Sequence, residues 1–554
     1  MTINGGEIVA RALAAQGIRH AFCVPGESYL PVLASLDGAG IAAMTCRHEG
    51  VASMAAEAMG RLSGGVPGLC LVTRAPGLAN AMAGITVAAL DATPLVVLAG
   101  QVPTRARGAE AFQEADLATI AAPLCKHVEE VPTTDGLAAA VARACHVARN
   151  GTPGPVLLSL PEDLLMARVE TPATMRDAPP AAPPAPAPES MARLTDLLRH
   201  AERPVLIAGG GPHLWTEQAR ALLHELGARA GLPLVAAFRR QGIIDPLHES
   251  AAGALGFRPD PALMEAIAQS DLLILLGARA TAITRRNLAD AFDPAAPPMP
   301  IAHIHPDAQV CGRTVRAALP VCATPRTFLE ALPLADLVGT RQRRAWMERL
   351  HAAHIAFAEA PPPVPEGVNP GEIFVWLRQH LPPQAILANG AGNYALWLHR
   401  FFFHRDLHGQ LAPVAGSMGY GLAAALAAKW RFPQRPVIAV AGDGCFQMSM
   451  ADFATAAQYG LGIIVLVLDN GQLGTIRGHQ LRNFPENDCG LALQNPDFAA
   501  FAEACGGFGA HVRATEEFMD AFQAAEQAAA QGRPALLHVH VSPRAIAPGV
   551  NAET

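Results

Sequence analysis

Paired cysteines are missing from this chain. Its ten cysteines stand singly, with no Cys-x-x-Cys, which excludes a zinc ribbon and a disulfide framework and points to a reducing, cytoplasmic compartment. Charge is also scarce: 16% of residues are charged against 51% apolar, and the net charge is −7. With no basic surplus there is no surface for nucleic acid. No apolar run approaches bilayer length, and the opening MTINGGEIVARALAAQG lacks a basic segment ahead of an apolar core, so neither a membrane span nor a secretory signal is expected. The composition fits α/β domains with sheets covered on both faces and a large subunit contact. At 554 residues the chain exceeds one core and predicts three domains, or up to four.

The most informative stretch is 436–479, PVIAVAGDGCFQMSMADFATAAQYGLGIIVLVLDNGQLGTIRGH. It reads as a strand over 437–441, a Gly442-Asp443-Gly444 turn, a helix to about Tyr459, a second strand over 463–468, and an Asp469-Asn470-Gly471 turn. A helix of that length between two β-branched runs predicts parallel strands, so both turns open at the edge where such sheets bind ligands. Asp443 offers a carboxylate and Asn470 an amide oxygen. These are too few for Ca²⁺ but suit Mg²⁺, which keeps waters and shares a ligand's phosphate. Either turn alone would be an ordinary turn; the arrangement of the two is what suggests a metal-bridged diphosphate.

Earlier in the chain, strands alternate with helices from about 3 to 162, which predicts a second parallel sheet. Glu49 ends one of its strands and precedes a helix rich in Ala, Met and Gly. Such a carboxyl is either a helix N-terminal acid favoured by the dipole or a desolvated acid suited to sharing protons. The loops 24–28 (VPGES) and 111–114 (AFQE) flank the same sheet, and Lys126 with His127 reads as a solvated pair. A Pro/Ala-rich segment then marks a linker. A third α/β unit carries Gly209-Gly210-Gly211 without the G-x-G-x-x-G spacing of a dinucleotide site. The boundaries are 1–170, linker 171–189, 190–335, connector 336–368 and 369–554. The predicted fold class is α/β, with three doubly wound parallel-sheet domains.

The GDG followed by Asn470 resembles the diphosphate motif of the thiamine diphosphate (ThDP) enzymes, with Asp-Asn-Gly where that family often has Asn-Asn-Gly. CRHEGVASMAAEAMGRLSG and AFQE resemble the acetolactate synthase group within it. The resemblance implies pyrimidine-binding, central and diphosphate-binding domains, and Mg²⁺ held by Asp443, Asn470 and the Gln472 carbonyl. It implies that Glu49 hydrogen-bonds the cofactor's pyrimidine and assists removal of the thiazolium proton, with Phe112, Gln113, Gly26 and Glu27 near the reacting atoms. Cofactor contacts carry over to Gly392 and Asn393, to Gly416 and Met418 (the Met propping the cofactor into a bent shape), and to Gly442, Gly444, Cys445, Leu473 and Gly474. FAD stays open: Arg279 matches the group, but residues 280–284 depart from it.

As to activity, the resemblance implies a ThDP- and Mg²⁺-dependent 2-oxo acid decarboxylase and carboligase, pyruvate to 2-acetolactate first. The alternatives are a hydroxyketone lyase of the benzaldehyde lyase kind, a simple decarboxylase and, last, a non-catalytic ThDP-binding protein. It also implies a dimer or tetramer whose active site lies between the first domain of one subunit and the last of another. Partners are then small 2-oxo acid and carbonyl substrates, with no nucleic acid and no membrane.

Overall fold

The computed structural model describes residues 2–170, 182–487 and 489–552. Most of the predicted linker therefore lies outside the described residues. Three six-stranded sheets follow one another along the chain, every pair within them parallel. The first runs, in spatial order, Ala42–Thr45, His20–Cys23, Gly68–Thr73, Leu95–Gln101, Pro155–Pro161, His127–Glu130. The third runs Gln410–Leu411, Ile386–Asn389, Val437–Gly442, Ile464–Asp469, Ala535–His540, Phe508–Val512. Numbered along the chain, both follow the order 2-1-3-4-6-5. The middle sheet instead follows 3-2-1-4-5-6, from Ala251–Ala254 to Leu319–Cys322, the order of dinucleotide-binding folds. The fold class is as the residue pattern predicts.

Several strands lie outside the predicted set. Ala251–Ala254 and Leu319–Cys322 are edge strands; the first has no β-branched residue and the second carries Pro320, so neither announces itself by propensity. The single helix expected after Asp443 is three pieces, Asp443–Gln447, a 3₁₀ turn Met450–Asp452, and Phe453–Gln458. The break sits at Ser449 (φ −137°, ψ 2°), and the buried Asp452 carboxylate beyond it accepts the Arg47 N–H at 2.9 Å and the Thr455 hydroxyl at 2.7 Å.

The first and third sheets share one apolar core. Helix Glu49–Leu62, buried from Gly50 to Leu62, packs on helix Tyr420–Arg431, where Ala423 to Ala428 are also buried. The small side chains let the two backbones approach. Across this contact Tyr420 donates its hydroxyl to Glu57 Oε2 at 2.6 Å. Among the described residues no helix is long and apolar enough to cross a membrane.

Candidate active site

In both outer sheets the strand order reverses between the first and third strands, and ligands of doubly wound folds bind at such reversals. The candidate residues of the third sheet gather there. Gly442, Asn393 and Asn470 line a common cavity of about 30 Å³ with Tyr394 and Ser542. The Asp443 carboxylate is buried. Burial pushes its pKa up to about 6, and the neighbouring Asp469 adds to the rise. Asp469 goes the other way: burial is outweighed by hydrogen bonds from His538, Gly471 and Asn495, which hold it at about 2.

Two carboxylates this close call for a cation or its substitute. The Asn495 amide is that substitute, donating from Nδ2 to Asp443 Oδ2 (2.8 Å) and to Asp469 Oδ1 (2.7 Å). A donor between two acidic oxygens fits a small hard cation in its place. Asn470 Oδ1 and the Gln472 carbonyl are near at hand, accepting backbone N–H groups of Gln472 (3.3 Å) and Gly474 (2.9 Å). Gly474 itself lies so close that a Cβ would stand 2.7 Å from Asn470 Nδ2 and 3.0 Å from Asn393 Oδ1, which keeps the Asn470 and Gly392-Asn393 turns in contact. Leu473 is pinned to Leu491 (N–H to carbonyl, 3.0 Å). The donor set thus fits Mg²⁺ and a diphosphate.

The loop 412–418 brings two further candidates. Gly416 is exposed at its tip with φ +70°, a conformation that suits glycine. The Met418 methyl lies 3.7 Å from the Cβ position of Gly444, so Met418 stands over the GDG turn. Cys445 is different, because its thiol is buried beneath the turns, taking the Gly419 N–H at 3.3 Å and meeting the Tyr394 hydroxyl at 3.4 Å. Its side chain supports the site from below.

At the end of the first sheet Glu49 begins its helix, with His48 Nδ1 accepting the Gly50 N–H at 2.9 Å as the cap. Glu49 is half-buried. Its neighbours differ from the apolar face anticipated: the Ala and Met side chains turn into the core, while Asn80 donates to Glu49 Oε2 at 3.0 Å and Gly77 lies beside Oε1.

The loops around Gly26 and Phe112 are tied together by Arg74, which pairs with Glu27 (3.0 Å) and Glu162 (3.2 Å), donates to the Phe112 carbonyl (3.4 Å) and lies against the Phe112 ring. Arg74 has φ +45°, a strained conformation for a non-glycine residue. Phe112 is 75% exposed. Gln113 has φ +61°, and its Oε1 is buried without a hydrogen-bond partner among the described residues. Ser28, by contrast, is buried and bonded to Thr73 Oγ1 at 3.2 Å. Lys126 is exposed, but its Nζ donates to the Val147 and Asn150 carbonyls (2.6 Å each) rather than pairing with His127, and partial desolvation lowers its pKa to about 8.

FAD does not fit the cleft formed by the Gly209–Gly211 turn and Arg279. The cleft between Gly210-Gly211 and Gly277–Ala280 holds a cavity of about 40 Å³, about one water's share of liquid volume. The His213 ring covers the Gly211 backbone where a pyrophosphate would approach.

Four participants escaped the sequence reading: Asn80, Arg74, Asn495 and Asp91. Asn80 and Asn495 are single polar residues on a helix and a loop, without a motif around them. Arg74 had a signal, a long cation directly after a strand and before Ala-Pro-Gly. Asp91 is the buried hub beneath the 412–418 loop, pairing with Arg61 (2.7 Å) and Arg240 (2.9 Å) and accepting the N–H groups of Val414 (2.8 Å) and Ala415 (3.0 Å).

Comparison with known proteins identifies the three domains. The profiles described as thiamine pyrophosphate (the same compound as ThDP) enzyme, N-terminal TPP binding domain, central domain, and C-terminal TPP binding domain match residues 3–120, 191–332 and 390–539. The acetolactate synthase large subunit of Parasynechococcus marenigrum is 30% identical over 552 residues, covering 98% of this chain and 88% of that protein. That of Corynebacterium glutamicum is 30% identical over 538 residues, with coverage of 95% and 85%. The probable acetolactate synthase large subunit of Methanocaldococcus jannaschii is 28% identical over 570 residues, with 99% and 93% covered. With all three domain profiles in order and such relatives matched over most of their length, this chain belongs to the thiamine pyrophosphate enzyme family.

Proposed function

We propose that the protein is a ThDP- and Mg²⁺-dependent carboligase of the acetolactate synthase kind, joining two pyruvates into 2-acetolactate with loss of CO₂. One observation carries this reading: a Glu49–Asn80 pair at the ligand-binding end of the first sheet is matched by an Asp443–Asn470 cation cradle at the same end of an identically ordered third sheet. When bound, ThDP supplies the electron sink for decarboxylation. Asp443, Asn470 and the Gln472 carbonyl would hold Mg²⁺ against its diphosphate. Met418, over the GDG turn, would fill the bend of the cofactor. Glu49 would hold a proton at the far end, its orientation fixed by Asn80.

Substrate selection falls to the loops that Arg74 ties together. Gln113, with Oε1 unpartnered, would turn its amide toward the oxygen that gains charge during reaction, and exposed Phe112 would shield that region from water. FAD has no place in this reading.

A second copy of the chain completes the site in this proposal. Arg47, two residues before Glu49, is tied to Asp452, Thr455 and Gln458 of its own third domain. In this proposal Glu49 serves the cradle of a neighbouring copy, as the likeness to the acetolactate synthase group implies, and exposed Phe112 and Met448 become buried in the contact.

Incubation with ThDP, Mg²⁺ and pyruvate tests the assignment. Acetolactate as the main product is expected; acetaldehyde alone means simple decarboxylation, and cleavage of benzoin without turnover of pyruvate means a hydroxyketone lyase. Inactivity on all of these overturns the assignment.

A further inference from the structure

Three histidines meet on one face of the third sheet, on the far side of Asp469 from the cation cradle. His538 and His540 alternate on strand Ala535–His540, so both side chains point the same way. His511 lies in register with His538 on the neighbouring edge strand Phe508–Val512. One ring nitrogen from each falls within 4.8 Å of the other two, and His511 Nδ1 is 3.2 Å from His540 Nε2.

The outer nitrogens of two of these rings are held by carboxylates. His538 Nε2 bonds Asp469 Oδ2 at 2.8 Å, and His511 Nε2 bonds Asp497 Oδ2 at 3.2 Å. Each carboxylate requires the N–H on the nitrogen it faces, which leaves the lone pair on Nδ1 of both rings. For His511 that lone pair accepts the His540 Nε2–H. For His538 it has no hydrogen-bond partner among the described residues: Nδ1 is buried and unbonded in a residue only 4% exposed. An unpaired imidazole nitrogen in such a place loses its hydration without compensation.

We propose that His511, His538 and His540 form a binding site for a borderline transition-metal dication such as Zn²⁺ or Co²⁺, separate from the Mg²⁺ cradle. The ligand type selects the metal, since imidazole suits these ions while Mg²⁺ prefers oxygen. The spacing suits it too: two nitrogens about 2.0–2.1 Å from one tetrahedral ion stand roughly 3.3 Å apart, close to the 3.2 Å seen between His511 and His540. Asp469 and Asp497 take the part of the outer carboxylates that orient metal-bound histidines and raise their basicity. The ion takes the place of the proton between His511 and His540, which passes to His540 Nδ1 as that ring changes tautomer; the rings turn about χ2 to aim their lone pairs, and the ion also occupies the stranded His538 nitrogen. His511 and His540 are half-exposed, which provides the entry path. Bound metal straps the edge strand to its neighbour and fixes the His538–Asp469 pair beside the cradle.

The test uses the untagged, full-length protein carrying ThDP and excess Mg²⁺, stripped of other metals by dialysis and titrated with Co²⁺ and then Zn²⁺. One equivalent of Co²⁺ per chain is expected to bind with the visible absorption of a four- or five-coordinate nitrogen site and to be displaced by Zn²⁺. His540→Ala, and His511→Gln as the size-conserving change on the edge strand, each weaken Co²⁺ binding by roughly 10–100-fold with unchanged circular dichroism and Mg²⁺ affinity. Absence of stoichiometric Co²⁺ binding, or binding untouched in the two folded variants, overturns the proposal.

Discussion

Asp91 Oδ1 accepts the backbone N–H of Val414 at 2.8 Å, so the loop presenting Gly416 and Met418 hangs from a carboxylate of the first domain. The same carboxylate joins Arg61 and Arg240, all three buried, so all three domains converge on one charge. Asp91→Ala leaves two buried guanidinium groups facing a cavity, and breaking such a network costs about 3–5 kcal/mol. A lowered thermal midpoint is expected. Asp91→Asn keeps the shape, and in the folded fraction its ThDP affinity, measured by fluorescence quenching, is expected to fall several-fold.

Acid should act on Asp91 and Asp443 with opposite signs. Burial would raise the Asp91 pKa, but Arg61 and Arg240 hold it at about 2, below its value of roughly 3.9 in the unfolded chain. Its stabilising contribution is complete above pH 4 and disappears as pH falls from about 4 to about 2. Asp443 sits at about 6 in the folded protein, so without metal the native state takes up a proton between about 6 and 4 and gains stability over that window as pH falls. Mg²⁺ has to displace that proton. Its affinity, titrated calorimetrically from pH 8 to 5, should be flat above about 6 and weaken by about tenfold per pH unit below it.

Asp469→Asn separates the two contributions to that break. It restores the Asn-Asn-Gly form and removes the charge next to Asp443. The break in Mg²⁺ affinity should move to lower pH, with affinity at pH 8 changed only a few-fold; an unmoved break would mean that burial alone raises Asp443.

Arg74 connects the Glu27 and Phe112 loops and nothing at the cation cradle. Arg74→Ala is expected to raise the KM for the 2-oxo acid by roughly tenfold, a loss of about 1.4 kcal/mol, while ThDP affinity stays within about twofold. Steady-state kinetics alongside cofactor titration separates the two effects.

The parts legible in the sequence were those where backbone and chemistry coincide. The runs at 437–442 and 464–469 are β-branched and end in Asp-Gly and Asn-Gly turns, so strand and turn could be read together. Ala251–Ala254 could not be read because its pairing, not its residues, makes it a strand. Asn495 meets Asp443 across 52 positions of chain, and Asp91 meets Val414 across 323. Contacts of that range follow from the packing of domains, which leaves no local pattern. Cys445 shows the reverse limit: a residue two positions from a proposed cation ligand can still point its side chain into the core.

The account rests on Glu49 acting as the acid at the pyrimidine end of a cofactor clamped by Asp443 and Asn470. The most direct measurement is the rate at which enzyme-bound ThDP exchanges its thiazolium proton for deuterium, followed by rapid quench and NMR in the wild type and in Glu49→Gln. The variant is expected to bind ThDP and Mg²⁺ with near-native affinity and to exchange the proton at least about 100-fold more slowly; a native exchange rate in a variant that binds the cofactor normally would contradict the account.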